Sequence, residues 1–118
     1  MSLKQEMQAV RHQLKVRQEA KIETLLPKLI SSGALEIGVC GSFARGDYKA
    51  TSDVDLYVLY ESLPDKVEKG ELYEAAYEVD IDLLICEQKQ FYESTSVFTK
   101  NVMKDRKVLW ERGEINEK

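Results

Sequence analysis

The chain has 118 residues, of which 43% are hydrophobic and 32% charged, with a formal net charge of −4. That length suits one domain over residues 1–118 with a single core burying roughly two-thirds of the unfolded surface, and no apolar run approaches the ~20 residues of a membrane span. The charge is uneven: residues 1–30 carry six basic and three acidic groups, 31–95 five and fourteen, and 96–118 six and four, so the middle would repel a polynucleotide and stable nucleic-acid binding is not expected.

From the N-terminus, residues 1–32 read as helical. Leu3, Met7, Val10 and Leu14 share one face, and Ile22, Leu25, Leu26, Leu29 and Ile30 form a second stripe out of phase with it. The first stripe suits either the core or a meeting with a partner or a second copy, so homo-oligomerisation through this helix stays open. Pro27 predicts a kink or a boundary, and Ser31-Ser32-Gly33 a stop. His12, alone on a charged helix, reads as solvated. The opening MSLKQEMQAVRHQ lacks the apolar segment of a secretory signal, and Cys40 and Cys86 make neither a Cys-x-x-Cys pair nor a disulfide framework. Both observations point to a reduced, cytoplasmic setting.

A strand is predicted over Ala34–Cys40, after which Gly41-Ser42 opens a short helix or turn through Phe43–Arg45, closed by Gly46 and a polar stretch to Ser52. The second strand covers Asp53–Tyr60. Ser62-Leu63-Pro64-Asp65 turns into a charged helix over Lys66–Tyr77, weakened by Gly70. A third strand runs Glu78–Cys86, helices follow near Glu87–Glu93 and Thr95–Lys104, and KVLWER closes the chain as a short strand with Trp110 in the core. The chain therefore divides into an N-terminal helical segment (1–32), a catalytic core (34–86), and C-terminal helices with a short strand (87–118). The alternation argues an α/β or α+β sandwich, helices against a small sheet.

The chemistry sits between the first and third strands. A strand ending in Gly-Ser at a helix start offers backbone N–H groups to an anion; Gly41 allows close approach and Ser42 adds a hydroxyl. Asp53 and Asp55 project from one strand face, where mutual repulsion would raise their pKa values unless a divalent cation such as Mg²⁺ neutralises them. Asp82, leading the apolar run Leu83-Leu84-Ile85, is the choice for a third carboxylate; Asp80, on the same predicted strand face, is the fallback. A third carboxylate allows a second ion or a general base. Arg45 either neutralises phosphate charge or bridges a surface carboxylate. Ser52 reads as a backbone-bonding residue ahead of the strand, outside the site.

The string GSFARGDYKATSDVDL, with IDLL further on, resembles the DNA-polymerase-β-like nucleotidyltransferases, in particular the minimal nucleotidyltransferases (MNT) encoded beside helical HEPN-domain proteins. The likeness spans nearly the whole chain, with ten residues between Gly-Ser and Asp-x-Asp. It implies the nucleotidyltransferase fold, a small mixed sheet flanked by helices. It implies Gly41 and Ser42 as the phosphate-binding pair, and Asp53, Asp55 and Asp82 as the catalytic metal ligands for two Mg²⁺ ions. It further implies transfer of a nucleoside monophosphate, AMP from ATP, with release of pyrophosphate. In antitoxin members the acceptor is a tyrosine of the HEPN toxin. Two other functions stay open: modification of a small molecule such as an aminoglycoside, and neutralisation of a partner by contact alone.

Overall fold

The computed structural model describes residues 2–46 and 54–113, without the side chain of Ser42. The chain order is α1 (Leu3–Ser31), β1 (Glu36–Cys40), α2 (Gly41–Ala44), β2 (Val54–Tyr60), α3 (Lys66–Glu78), β3 (Ile81–Glu87), α4 (Gln88–Glu93), α5 (Val97–Asp105) and β4 (Lys107–Glu111). The four strands form one mixed sheet in the order β3-β2-β1-β4. β1 is antiparallel to both β2 and β4, while β2 and β3 run parallel through the α3 crossover. Both β1 and β2 are buried on both faces, apart from Asp55, which explains why their sequences are nearly continuous apolar runs rather than alternating ones.

Each face of the sheet has its own core. On one side Val54, Leu56, Val58 and Tyr60 meet Ile22, Leu25 and Leu29 of α1 and Leu72 and Ala76 of α3. On the other, Cys40, Tyr57 and Leu59 pack on Phe91 of α4 and Val102 of α5. The Tyr57 and Phe91 rings stack at 5.2 Å. Gly38 lies beneath Tyr57, where a Cβ would collide with the phenol ring. Glu36, buried on this second face, accepts hydrogen bonds from Tyr57 (2.7 Å) and Tyr92 (2.6 Å), so a carboxylate inside the protein is satisfied by two hydroxyls.

α1 is one continuous helix, begun by a capping box between Ser2 and Gln5. Pro27 lies inside it, and the helix ends at Ser31, where Ser31-Ser32-Gly33 is expected to stop it. The proline is exposed, so the carbonyl it leaves without an amide partner faces water, and Leu25 and Leu29 on either side hold the turn in the core. The two predicted stripes have different fates: Ile22, Leu25 and Leu29 are buried, whereas Leu3, Met7 and Val10 are exposed and only Leu14 of the first stripe is covered. At the other end Arg112 donates to the carbonyls of Ala34 and Ile30, placing a cation at the C-terminal end of the helix. Trp110 packs against the first core, as expected. The predicted third strand begins late: α3 runs on to Glu78, and Val79-Asp80 forms the turn into Ile81. Asp80 has φ 57, a left-handed conformation, so it does not share a strand face with Asp82.

Candidate active site

Because β1 runs antiparallel to β2 and β2 parallel to β3, the C-terminal end of β1 and the N-terminal ends of β2 and β3 meet at one edge of the sheet. Cys40 lies opposite Asp55, and Asp55 lies opposite Asp82. Partners in register carry side chains on the same face, so the two carboxylates stand next to each other on adjacent strands. Asp55 is half-buried and Asp82 exposed. Both line a cavity of about 470 Å³ together with Gly41 and Arg45 of the α2 turn.

Gly41 is the tightest point of this arrangement. It takes φ 71, and a Cβ there would collide with Asp55 Oδ2. Glycine is therefore required twice, for the backbone conformation and for the space the carboxylate occupies. The turn that follows has no side-chain cap, since Cys40 at the cap position bonds none of its amides through its thiol. Gly46, at φ 83, ends it.

The far wall of the cavity is α5, started by Ser96, whose hydroxyl accepts from the Thr99 amide at 3.1 Å. Phe98, Asn101, Val102 and Asp105 of α5 line the cavity. Arg45 forms an ion pair with Asp105 at 3.0 Å, joining the α2 turn to the end of α5. Of the two expectations for Arg45, the carboxylate bridge is observed, and it is at the cavity rather than away from it. Burial first, then the charges of Asp55 and Asp105, push the Cys40 thiol up to about 11. The buried thiol is thus held in its protonated form.

The structure thus brings together Gly41, Arg45, Asp55 and Asp82 from the expected set. Asp53 and the Ser42 side chain lie outside the described residues. Asp80 sits in the turn ahead of β3 and is not among the residues lining the cavity. Phe98, Asn101 and Asp105 were not anticipated; the helix near Thr95–Lys104 was expected, but nothing in its spacing tells which wall it forms. Among the described residues no three carboxylate, histidine or cysteine groups converge as a complete ligand set. The registered pair, all oxygen donors on an open face, suits a hard divalent ion by donor type.

A family model described as "Polymerase beta, Nucleotidyltransferase" matches residues 21–115. The chain is 41% identical over 56 residues to a protein adenylyltransferase, MntA, of Thermococcus cleftensis, the aligned part covering 45% of this chain and 57% of that protein. It spans about half the length of the curated relatives it matches. Among solved structures, a putative nucleotidyltransferase from Sulfolobus solfataricus superimposes with a TM-score of 0.61 at 17% identity, covering 86% of this chain and 87% of that one. At that identity the likeness is of fold. The MNT antitoxin in complex with the tri-AMPylated HEPN toxin of Shewanella oneidensis gives a TM-score of 0.52 at 25% identity, covering 83% of this chain and 73% of that one.

Proposed function

The chain belongs to the polymerase beta nucleotidyltransferase family, and from that premise we propose that it moves AMP from ATP onto an acceptor outside its own fold, a tyrosine of a HEPN-type partner in a toxin–antitoxin pair. The observation that carries this reading is the register of Asp55 with Asp82 beside Gly41 in one cavity. Likeness to an adenylyltransferase and to a complex holding a tri-AMPylated HEPN toxin supports AMP as the group moved and such a toxin as its recipient.

Asp53, Asp55 and Asp82 are the residues we assign to hold Mg²⁺. When bound, the ion neutralises phosphate oxygens and eases loss of the acceptor's proton. The chain's own groups do the rest. Gly41, lacking a Cβ, lets phosphate oxygens approach the amides of the α2 turn, and Ser42 adds a hydroxyl donor. Arg45, held at the cavity rim by Asp105, turns its guanidinium to the β- and γ-phosphates and favours their departure. The acceptor oxygen forms a bond to the α-phosphorus; the bond from that phosphorus to the bridging oxygen breaks, and pyrophosphate leaves with the electron pair. Asp82, the exposed member of the registered pair, takes the acceptor's proton. Positioning and charge neutralisation supply most of the acceleration in such transfers.

The test is incubation with Mg²⁺, labelled ATP and a HEPN-type protein offered as the partner. Label on a tyrosine of the partner, lost with Asp55→Asn, is the expected result. Absence of label with any of the four NTPs overturns the proposal. Label on an aminoglycoside but not on protein overturns the acceptor, and neutralisation of the partner that survives Asp55→Asn points to contact alone.

A further inference from the structure

The cavity is chemically divided along α5. At the C-terminal end of the helix, Asp105 is tied to Arg45, beside Gly41 and the registered carboxylates. Phe98 stands seven residues earlier, two turns or about 10 Å along the axis, and Asn101 lies between them. Positions 98, 101, 102 and 105 recur at helical spacing, so they form one face. On it Val102 is buried in the core below, while Phe98 is 64% exposed and packs into neither core. An exposed phenylalanine lining a cavity leaves apolar surface in water, a cost that a ligand seated there would remove.

We propose that Phe98 and Asn101 form the nucleobase subsite of this cavity, Phe98 stacking on the ring and Asn101 reading the edge of adenine. This rests on the nucleotidyl-transfer reading above and adds to it the part of the donor that the Gly-Ser and Asp-x-Asp motifs leave unassigned. The polar end accounts for the phosphates, and the two-turn span along α5 accommodates a ribose before the base. A side-chain amide presents a donor and an acceptor in one plane, which matches the paired amino and ring nitrogens of adenine. A tyrosine ring from an acceptor would stack on Phe98 equally well but has no such paired edge, so Asn101 favours the base. The apolar walls from Leu84 and Val102 suit a flat heterocycle.

The subsite is tested by direct titration of the Mg²⁺ complexes of α,β-methylene-ATP, α,β-methylene-GTP and inorganic tripolyphosphate, which need no turnover. Phe98→Ala is expected to weaken the ATP analogue about ten-fold or more, as loss of one base–aromatic stack does, and Phe98→Tyr to restore it. Asn101→Ala is expected to bring the two nucleotide analogues to within about two-fold of each other. Tripolyphosphate binding stays within about two-fold of the unaltered protein in every case, because the phosphate end is untouched. Both side chains are exposed, so folding is not at issue. If the unaltered protein binds the ATP analogue and the variants bind it equally, the subsite is wrong and nucleotidyl transfer stands. If the unaltered protein binds neither nucleotide analogue, both readings fall. Parallel loss of tripolyphosphate, or an effect confined to the KM of the acceptor, overturns the base assignment.

Discussion

Replacing Gly41 by alanine separates two costs that the structure makes distinct. The backbone at φ 71 disfavours an L-residue, by about 1–2 kcal/mol. For a domain of this size that lowers the melting temperature by about 4–10 °C. The second cost is positional. The new Cβ would occupy the place of Asp55 Oδ2, so the carboxylate must turn away from the register it shares with Asp82. A displacement on the order of 1 Å costs roughly a hundred-fold in rate when positioning carries the chemistry. Gly33 provides the control: it has φ 102, but a Cβ there meets nothing within 4 Å. Gly33→Ala should therefore lose stability of the same order and keep its rate. The assay is single-turnover transfer of labelled AMP to the HEPN-type partner, beside thermal melts of both variants. If Gly41→Ala transfers within about three-fold of Gly33→Ala, positioning of Asp55 by Gly41 is not what the site depends on.

Asp82→Asn is expected to lower the transfer rate by at least about a hundred-fold, whereas Asp80→Gly keeps it within about three-fold and leaves stability within about 1 kcal/mol, since its left-handed backbone suits glycine. Equal losses in the two variants would return Asp80 to the site. Glu36→Ala strands the Tyr57 and Tyr92 hydroxyls and should cost about 3 kcal/mol in denaturant titration; a loss below about 1 kcal/mol would mean water replaces the carboxylate freely. Alkaline pH should destabilise the fold. Burial raises Cys40 from 9.0 to about 11 and, with the Glu36 hydrogen bond and charge, Tyr92 from 10.0 to about 12. These groups hold their protons more tightly folded than unfolded, so their contribution is complete below pH 9.0 and is lost as pH rises towards 12. Melts across that range check the slope, and Cys40→Ala should flatten its lower part; a melting temperature constant from pH 9 to 11 would contradict it.

The local elements were readable because their signals are local. Leu25 and Leu29 recur at helical spacing, VDLYVLY is too apolar and β-branched for a loop, and the family resemblance carried by Gly41-Ser42 and the Asp-x-Asp ten residues on implies phosphate and metal chemistry. Ser62 to Asp65 marked the start of α3 through turn and cap residues, and Asp65 accepts from the Glu68 amide as such a cap does. A boundary failed where packing outvoted propensity, at the late start of β3.

What only the tertiary structure decided is non-local. Asp80 and Asp82 have the same residue type and similar surroundings in the sequence; the left-handed turn at Asp80 and the parallel register with β2 put Asp82, not Asp80, beside Asp55. Register is set by strand pairing across a crossover, which periodicity within one strand does not encode. Glu36 reads as an ordinary charge in a strand until Tyr57 and Tyr92, distant in the chain, close over it. Phe98 and Asn101 fall in the helix expected near Thr95–Lys104, with Asp105 just past it, and only the packing of Val102 on the sheet brings that face to the cavity that Gly41 also lines. Residue types and their spacing pointed to the chemistry proposed for this chain; the pairing of strands and the seating of α5 determined which of the described side chains stand together at one cavity.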